Sequence, residues 1–335
     1  MSPNAALPHG RRLLVATLLA PVLAALALWA FAWPAARTAP HDLPLGVAGP
    51  AAATAPLEQQ LRKGHEGAFE VHRYGDEAAA RDAIEDRTVY GAVVATPGGP
   101  KLLTASAASP VVAQLLQQAV GEQAAASGTR LTTEDVVAAP AADPRGAALA
   151  SSVLPMVLAG IAAGAAVTLL GLRGVRAALV LTGAAALVGL TAAAIADSWL
   201  GVLTGNWWAE AGVFSLWMLA VGAAVAGTAA LLGTAGVGLV SALVMLIGNP
   251  FSGASSAPQL LPEPVGVIGQ WMPPGAGASL LRSVAFFDGA AAAGPLLTLA
   301  WWAALGLGAV LLGTNLKSRG QNPAQDVERP LATVN

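Results

Sequence analysis

Apolar residues are arranged in two ways along this chain: in long unbroken runs, and at short intervals between charged residues. Leu13 to Trp33 is the first long run, about 20 residues, enough for a helix to cross a hydrocarbon core of about 30 Å. Pro21 can kink it, and Trp29 and Trp33 lie at its far end, where indoles favour the membrane interface. A cleaved signal peptide is the competing reading, kept open by the small residues after Trp33. Its apolar region would run to roughly 7–15 residues, shorter than this one. Later runs predict spans over Val153 to Leu172, Val175 to Ala196, Gly212 to Gly233, Val237 to Gly248 and Gly294 to Gly313. The run from Val237 is short for a span unless its ends are buried.

The second pattern occupies residues 34–149 and predicts a small α/β domain. Leu43 to Ala48, Phe69 to Tyr74, Val89 to Ala95, Lys101 to Ala105 and Thr132 to Ala138 are the expected strands. Ala55 to Lys63 is an expected helix. Asp76 caps a second that runs to about Arg87, and Ser109-Pro110 opens a third that runs to about Ala126. Pro97-Gly98-Gly99-Pro100 marks a hairpin turn between the third and fourth strands.

Composition sharpens this picture. Of 335 residues, 55% are hydrophobic and 11% charged, against roughly 25% charged in soluble domains. Between Ala147 and Leu316 the only charged residues are Arg173, Arg176, Asp197, Glu210, Glu263, Arg282 and Asp288. The fold class expected is therefore an α-helical polytopic membrane protein of about six transmembrane helices. Its α/β domain is inserted between helices 1 and 2 and lies outside the cytoplasm. The units are a cytoplasmic N-terminus (1–12), helix 1 (13–33), the α/β domain (34–149), a five-helix membrane domain (150–315) and a cytoplasmic tail (316–335).

Orientation follows from Lys and Arg in short loops. Arg11 and Arg12 precede the first span, Arg173 and Arg176 lie between the second and third, and Lys317 and Arg319 follow the last. With six spans all three groups share one side, the cytoplasm, so both termini are inside. The expected location is a bacterial plasma membrane. Trp199, Trp207 and Trp208, between Asp197 and Glu210, form an outer aromatic belt.

Residues 249–292 are the most unusual stretch, rich in Pro and Gly yet strongly apolar. Broken backbone at membrane depth survives where protein or a water-filled cavity satisfies its polar groups. The pattern predicts a re-entrant pair of short helices, near 259–271 and 275–287, with Arg282 and Asp288 near the outer interface as a possible pair. An amphipathic lid on the membrane surface is the alternative. Asn249, Pro250, Ser252, Gly253, Pro273, Pro274 and Arg282 are the candidates for an exit pathway or gate.

Chemical motifs are sparse. There is no cysteine, so thiol catalysis and thiolate metal sites are excluded. No Lys follows Gly, so no phosphate-binding Gly-Lys-Ser/Thr loop exists and the chain is not expected to hydrolyse ATP alone. His9, His41, His65 and His72 lack metal-motif spacing. No basic patch suggests nucleic acid at a net charge of −2. Neither enzyme activity nor a cofactor is expected. Asp197 and Glu210 could carry protons, though their place at span ends favours an interfacial role.

The order of parts resembles the type-2 ABC exporter permeases, and within them the branch that includes the phage infection protein family. Local matches are Asp143-Pro144-Arg145-Gly146 before span two, Asn249-Pro250-Phe251-Ser252-Gly253 after span five, Leu261-Pro262, and Met272-Pro273-Pro274 followed by Arg282. The resemblance covers about residues 10–315. It implies an exporter of lipids, drugs or polymers, acting as a homo- or heterodimer in the lipid bilayer with a separate ATP-binding subunit. Such permeases touch their ATPase through cytoplasmic elements, which here are very short. A stand-alone receptor or scaffold of the same fold is the alternative.

Overall fold

A computed structural model describes residues 9–64 and 67–319. Most of the N-terminal segment expected in the cytoplasm, His65, and most of the C-terminal tail lie outside the described residues. The chain is mostly helical, with a small sheet domain between its first and second long helices. Five helices are long and apolar enough to cross a membrane, over Thr17–Ala36, Ala147–Leu169, Gly174–Trp199, Trp207–Leu232 and Ala293–Gly313. This is the make-up of a multi-pass membrane protein.

The first long helix is α1 (His9–Ala36). The sheet domain follows as β1 (Leu43–Ala48), α2 (Ala51–Gly64), β2 (Phe69–Tyr74), α3 (Glu77–Glu85), β3 (Gly91–Thr96), β4 (Gly99–Thr104), α4 (Pro110–Ala126) and β5 (Thr132–Asp135). The strands stand in the order β2-β1-β3-β4-β5, parallel except for the β3–β4 hairpin. Helices start where the sequence supplies a cap: the Asp76 carboxylate accepts from Ala79 N, and the Ser109 hydroxyl accepts from Val112 N. α2 starts earlier than expected, directly after Pro50, and runs through Pro56. β3 starts later than expected. After the cap residue Asp86, Arg87 turns into the left-handed region (φ 59°), and Val89 N bonds back to Ala83 O.

The sheet is buried on both faces, which is why β1 reads as an apolar run without alternation. Ala80, Ala83 and Ile84 of α3 cover one face, and Val112, Leu116 and Val120 of α4 cover the other. On the surface, Arg81 and Lys101 each bridge Glu77 and Glu134, tying α3 to β4 and β5. The Lys101 hydrogen bond first, with Arg81 beside it, holds both carboxyls below the usual carboxylate range. Groups with depressed values stabilise the fold above the ordinary carboxylate pKa, about 4.3, and lose that contribution as pH falls through the folded value. The protection factors of the β5 amides, corrected for the intrinsic pH dependence of exchange, are therefore expected to fall below about pH 4, and Lys101→Met to flatten that dependence.

The long helices pack around α7 (Trp207–Leu232), which is apolar all round and the most enclosed of them. α5 (Ala147–Leu169) meets it through Gly160 and Gly164, where a Cβ would stand 2.6 Å from Val221 and from the Gly222 carbonyl. Their four-residue spacing thus serves a helix contact within the chain. α6 (Gly174–Ala193) approaches through Gly189, and α11 (Ala293–Arg319) through Gly306. α6 ends in a wider turn, Ala194–Trp199, that holds Asp197.

At Gly233 (φ 72°) the chain reverses, and α8 (Thr234–Leu243) runs back along α7, with Gly236 against Thr228. With its wider final turn the helix extends to Gly248. At 1.5 Å per residue this is about 22 Å, short of a hydrocarbon core of about 30 Å. The expected re-entrant pair divides further: a turn of 3-10 helix at Pro258–Leu260, then α9 (Val265–Gln270) and α10 (Pro273–Phe286). Pro262 and Pro264 break the first expected helix, because proline cannot donate and restricts the residue before it.

Candidate functional site

Residues 249–292 form a knot between the helix bundle and the sheet domain. Two backbone bonds hold the linker after α1 to it, Ala39 N to Leu260 O and His41 N to Gln259 O. Ala257 and Leu260 fill the α4 side of the sheet domain's core, and Phe287 fills the α3 side. The segment's apolar residues thus grip the sheet domain from both faces.

Inside the knot, Asn249 O accepts from the Ser252 hydroxyl at 2.7 Å. Gly253 (φ 65°) turns the chain with its α-carbon pressed against Pro258. The Gln270 amide ties the parts together. Its nitrogen donates to Ser252 O at 2.9 Å, and its oxygen accepts from the Ser279 hydroxyl at 2.6 Å. Pro273 and Pro274 open α10, where their missing donors cost nothing, and Pro274 packs on Gly248. Pro250 stands half-buried in the turn after Asn249. Asp143 caps α5 by accepting from Ala147 N and Ala148 N, both at 2.8 Å.

Arg282 is 6% exposed and donates to Ala254 O at 3.0 Å. The expected pairing with Asp288 is not made; the carbonyl takes its place. Arg87 reaches the same region from the end of α3. Its guanidinium donates to Ser279 O at 3.1 Å and to the Ser283 hydroxyl, and lies 5.3 Å from the centre of the Phe287 ring. Burial pulls the Arg87 value down from that of a free guanidinium. Burial pushes Tyr90 up, and the charges of both arginines pull it back.

Arg87 and Arg282 line one cavity of about 220 Å³, together with Tyr90, Gln259, Gln270 and Ser279. Tyr90 donates to the Gln259 side-chain oxygen at 2.8 Å. The cavity wall contains no Asp or Glu. Beside it, on the exposed side of α11, is an apolar groove of about 970 Å³ formed by Trp271, Leu297, Trp301, Trp302 and Leu305. The indole of Trp302 donates to Trp271 O at 2.9 Å. Gln270 and Pro295 border both spaces. Comparison with protein-family models, with curated proteins and with solved structures finds no match.

The seven residues expected at an exit or gate therefore fall in one knot, but the second arginine was not among them. Arg87 gave no signal, since a charged residue after a helix reads as solvated surface. Gln270 did give one, as a lone amide in the apolar run Val265 to Trp271. Glu210 also differs from expectation. It is fully buried in the first turn of α7, accepting from Gly205 N at 2.9 Å, while its other oxygen has no partner among the described residues. Asp197 is half-buried nearby. Among the described residues no three His, Asp or Glu side chains converge as metal ligands.

Proposed function

We propose that this chain is the membrane-spanning permease subunit of an ABC-type exporter, moving an amphipathic or hydrophobic substrate across a bacterial plasma membrane. The observation that carries this reading is the donor-lined cavity opening beside an apolar groove, where the sheet domain meets the knot before the last span. A polar space beside an apolar one suits the outer exit of an amphiphile's path. The order of parts, one span, a sheet domain and a bundle with a broken segment before its last helix, supports the same reading by resemblance.

Six passages, with both termini in the cytoplasm, fit best. Arg173, Gly233 and Gly313 border one cavity of about 180 Å³, so the α5–α6 turn, the α7–α8 turn and the end of α11 lie together. Gly248 packs on Pro274 in the knot, at the other end of the bundle. The short helix Thr234–Gly248 then counts as a passage, and Arg173 and Arg176 fall on the cytoplasmic side. The sheet domain is outside. Two such subunits and a separate ATP-binding subunit would complete the transporter.

One observation favours a second reading, a stand-alone receptor or scaffold. Among the described residues, the turns at the cytoplasmic end are very short: a few residues between α5 and α6, and Gly233 alone between α7 and α8. These offer an ATPase little to grip. The test is export of a fluorescent amphiphile from vesicles of cells making the protein. ATP-dependent export, and co-purification of a nucleotide-binding subunit, are the results expected of a permease. Pro250→Ala and Arg282→Ala should then slow export by about tenfold or more. Export without change in either variant removes the knot from the pathway, and no ATP-dependent export at all leaves the receptor reading.

A further inference from the structure

We infer that the cavity between the sheet domain and α10 holds the anionic head of an amphiphile on Arg87 and Arg282, with its hydrocarbon tail in the adjoining groove beside Trp271 and Trp301. The argument begins with charge. Two guanidinium groups share one cavity, and among the described residues neither makes an ion pair with a carboxylate. A buried cation is costly unless it is paired. Here the buried Arg282 lies beside the half-buried Arg87, and the wall around them offers hydroxyls, amides and carbonyls but no negative charge. A bound anion would supply what the chain withholds.

The backbone points the same way. Arg87 occupies a left-handed position directly after a helix, where glycine is the residue of least strain. From that turn its guanidinium reaches Ser279 O and the Ser283 hydroxyl on α10. Arginine also suits the task, because its planar fork of donors matches the oxygens of phosphate and carboxylate.

Size and continuity then define the ligand. A space of about 220 Å³ is below the roughly 300–1,000 Å³ of pockets that enclose whole drug-sized molecules. It takes a head group. The groove next to it is large, apolar and exposed, and the two share Gln270 and Pro295 as a border. One molecule with a charged head and an alkyl tail fits both. Insofar as that molecule is cargo the inference rests on the permease reading. Its binding is measured without ATP or transport, so the failure of one is told apart from the failure of the other.

The test uses the full chain in phosphatidylcholine nanodiscs, titrated with dodecyl phosphate brominated at the chain end, with quenching of tryptophan fluorescence as the readout. Saturable quenching is expected at a concentration more than about tenfold below that of the same alkyl chain on a trimethylammonium head. Arg87→Gln and Arg282→Gln should each weaken it by more than about tenfold, and Arg282→Lys by less. Equal affinity for the two heads, or unchanged binding in both glutamine variants, overturns the proposal. So does inorganic phosphate competing as tightly as the alkyl phosphate, which would mark a free-anion site. The comparison of heads on the unaltered protein decides the matter even if a variant does not fold. Displacement by added phosphatidylglycerol identifies the occupant as a bilayer lipid, and its absence as a separate amphiphile of the same chemistry; either agrees with the inference once the head preference is found.

Discussion

Gly269→Ala is expected to break the knot between the bundle and the sheet domain. A Cβ at this position would stand 1.7 Å from the Phe251 carbonyl oxygen, far inside van der Waals contact. Overpacking a close-packed site costs about 1–3 kcal/mol when side chains can shift. Here the obstacle is backbone, and Gly275 presses on the Gly269 carbonyl from the other side. The next residue, Gln270, holds both Ser252 and Ser279, so displacement of α9 also strips those bonds. A loss of about 3 kcal/mol or more is expected, at the upper end of that range. It would appear as a lower melting temperature and poor recovery of folded protein in detergent. Gly308→Ala is the control, because nothing lies within 4 Å of a Cβ there. If Gly269→Ala melts with the unaltered protein, the close approach of α9 to the 249–253 turn is wrong.

Much of the architecture is legible in the sequence because local rules decide it. An apolar run places β1 and a period-two pattern places β2 to the residue, and the caps fix the starts of α3 and α4, since strand patterning and N-cap chemistry involve only near neighbours. Run length identifies the long apolar helices, because hydrocarbon thickness sets it. The sequence is less informative wherever the partner is distant. Hydrophobicity in 257–290 says that those residues avoid water, but not which apolar surface they meet. Leu260 and Phe287 meet the sheet domain.

The same limit governs the candidate site. Its turn residues Asn249, Ser252 and Gly253, and its prolines, announce themselves by composition. Arg87 contacts residues 192 and 196 positions away, and no local rule carries that far. Arg282 was visible as a lone charge in an apolar stretch, which is costly enough to require a reason. What it faces is set by the fold: the Ala254 carbonyl, 28 positions away, and not Asp288, the nearest acid in sequence. Glu210 shows the converse. Its position at the start of α7 suggested the interface, yet loop residues Val202 to Gly205 fold over that end, with Thr204 bonded to Ala285 O and Gly205 against Val284.

Leu260→Ala and Phe287→Ala together are expected to unfold the sheet domain while leaving the helix bundle in place. Leu260 is 1% exposed and Phe287 is 6% exposed, each completing the core on a different face of the sheet. Truncations of this kind cost about 2–5 kcal/mol for leucine and about 3–5 kcal/mol for phenylalanine. The two sites share no core cluster, so the costs should nearly add. The sum, about 5–10 kcal/mol, reaches the whole stability of an ordinary domain, about 5–15 kcal/mol. The bundle core, built around Phe214 and Trp217, includes neither residue. Hydrogen exchange followed by mass spectrometry should then show full exchange in peptides from β1 and β3, with protection kept in α7. Each single variant should give partial loss. Unchanged protection of the strands in the double variant would mean that the sheet domain holds its fold without the knot. In that case no movement of α9 and α10 could reach the sheet through these two contacts, and Arg87 on α10, Tyr90 on Gln259 and Ala257 in the core would be left as the ties between them.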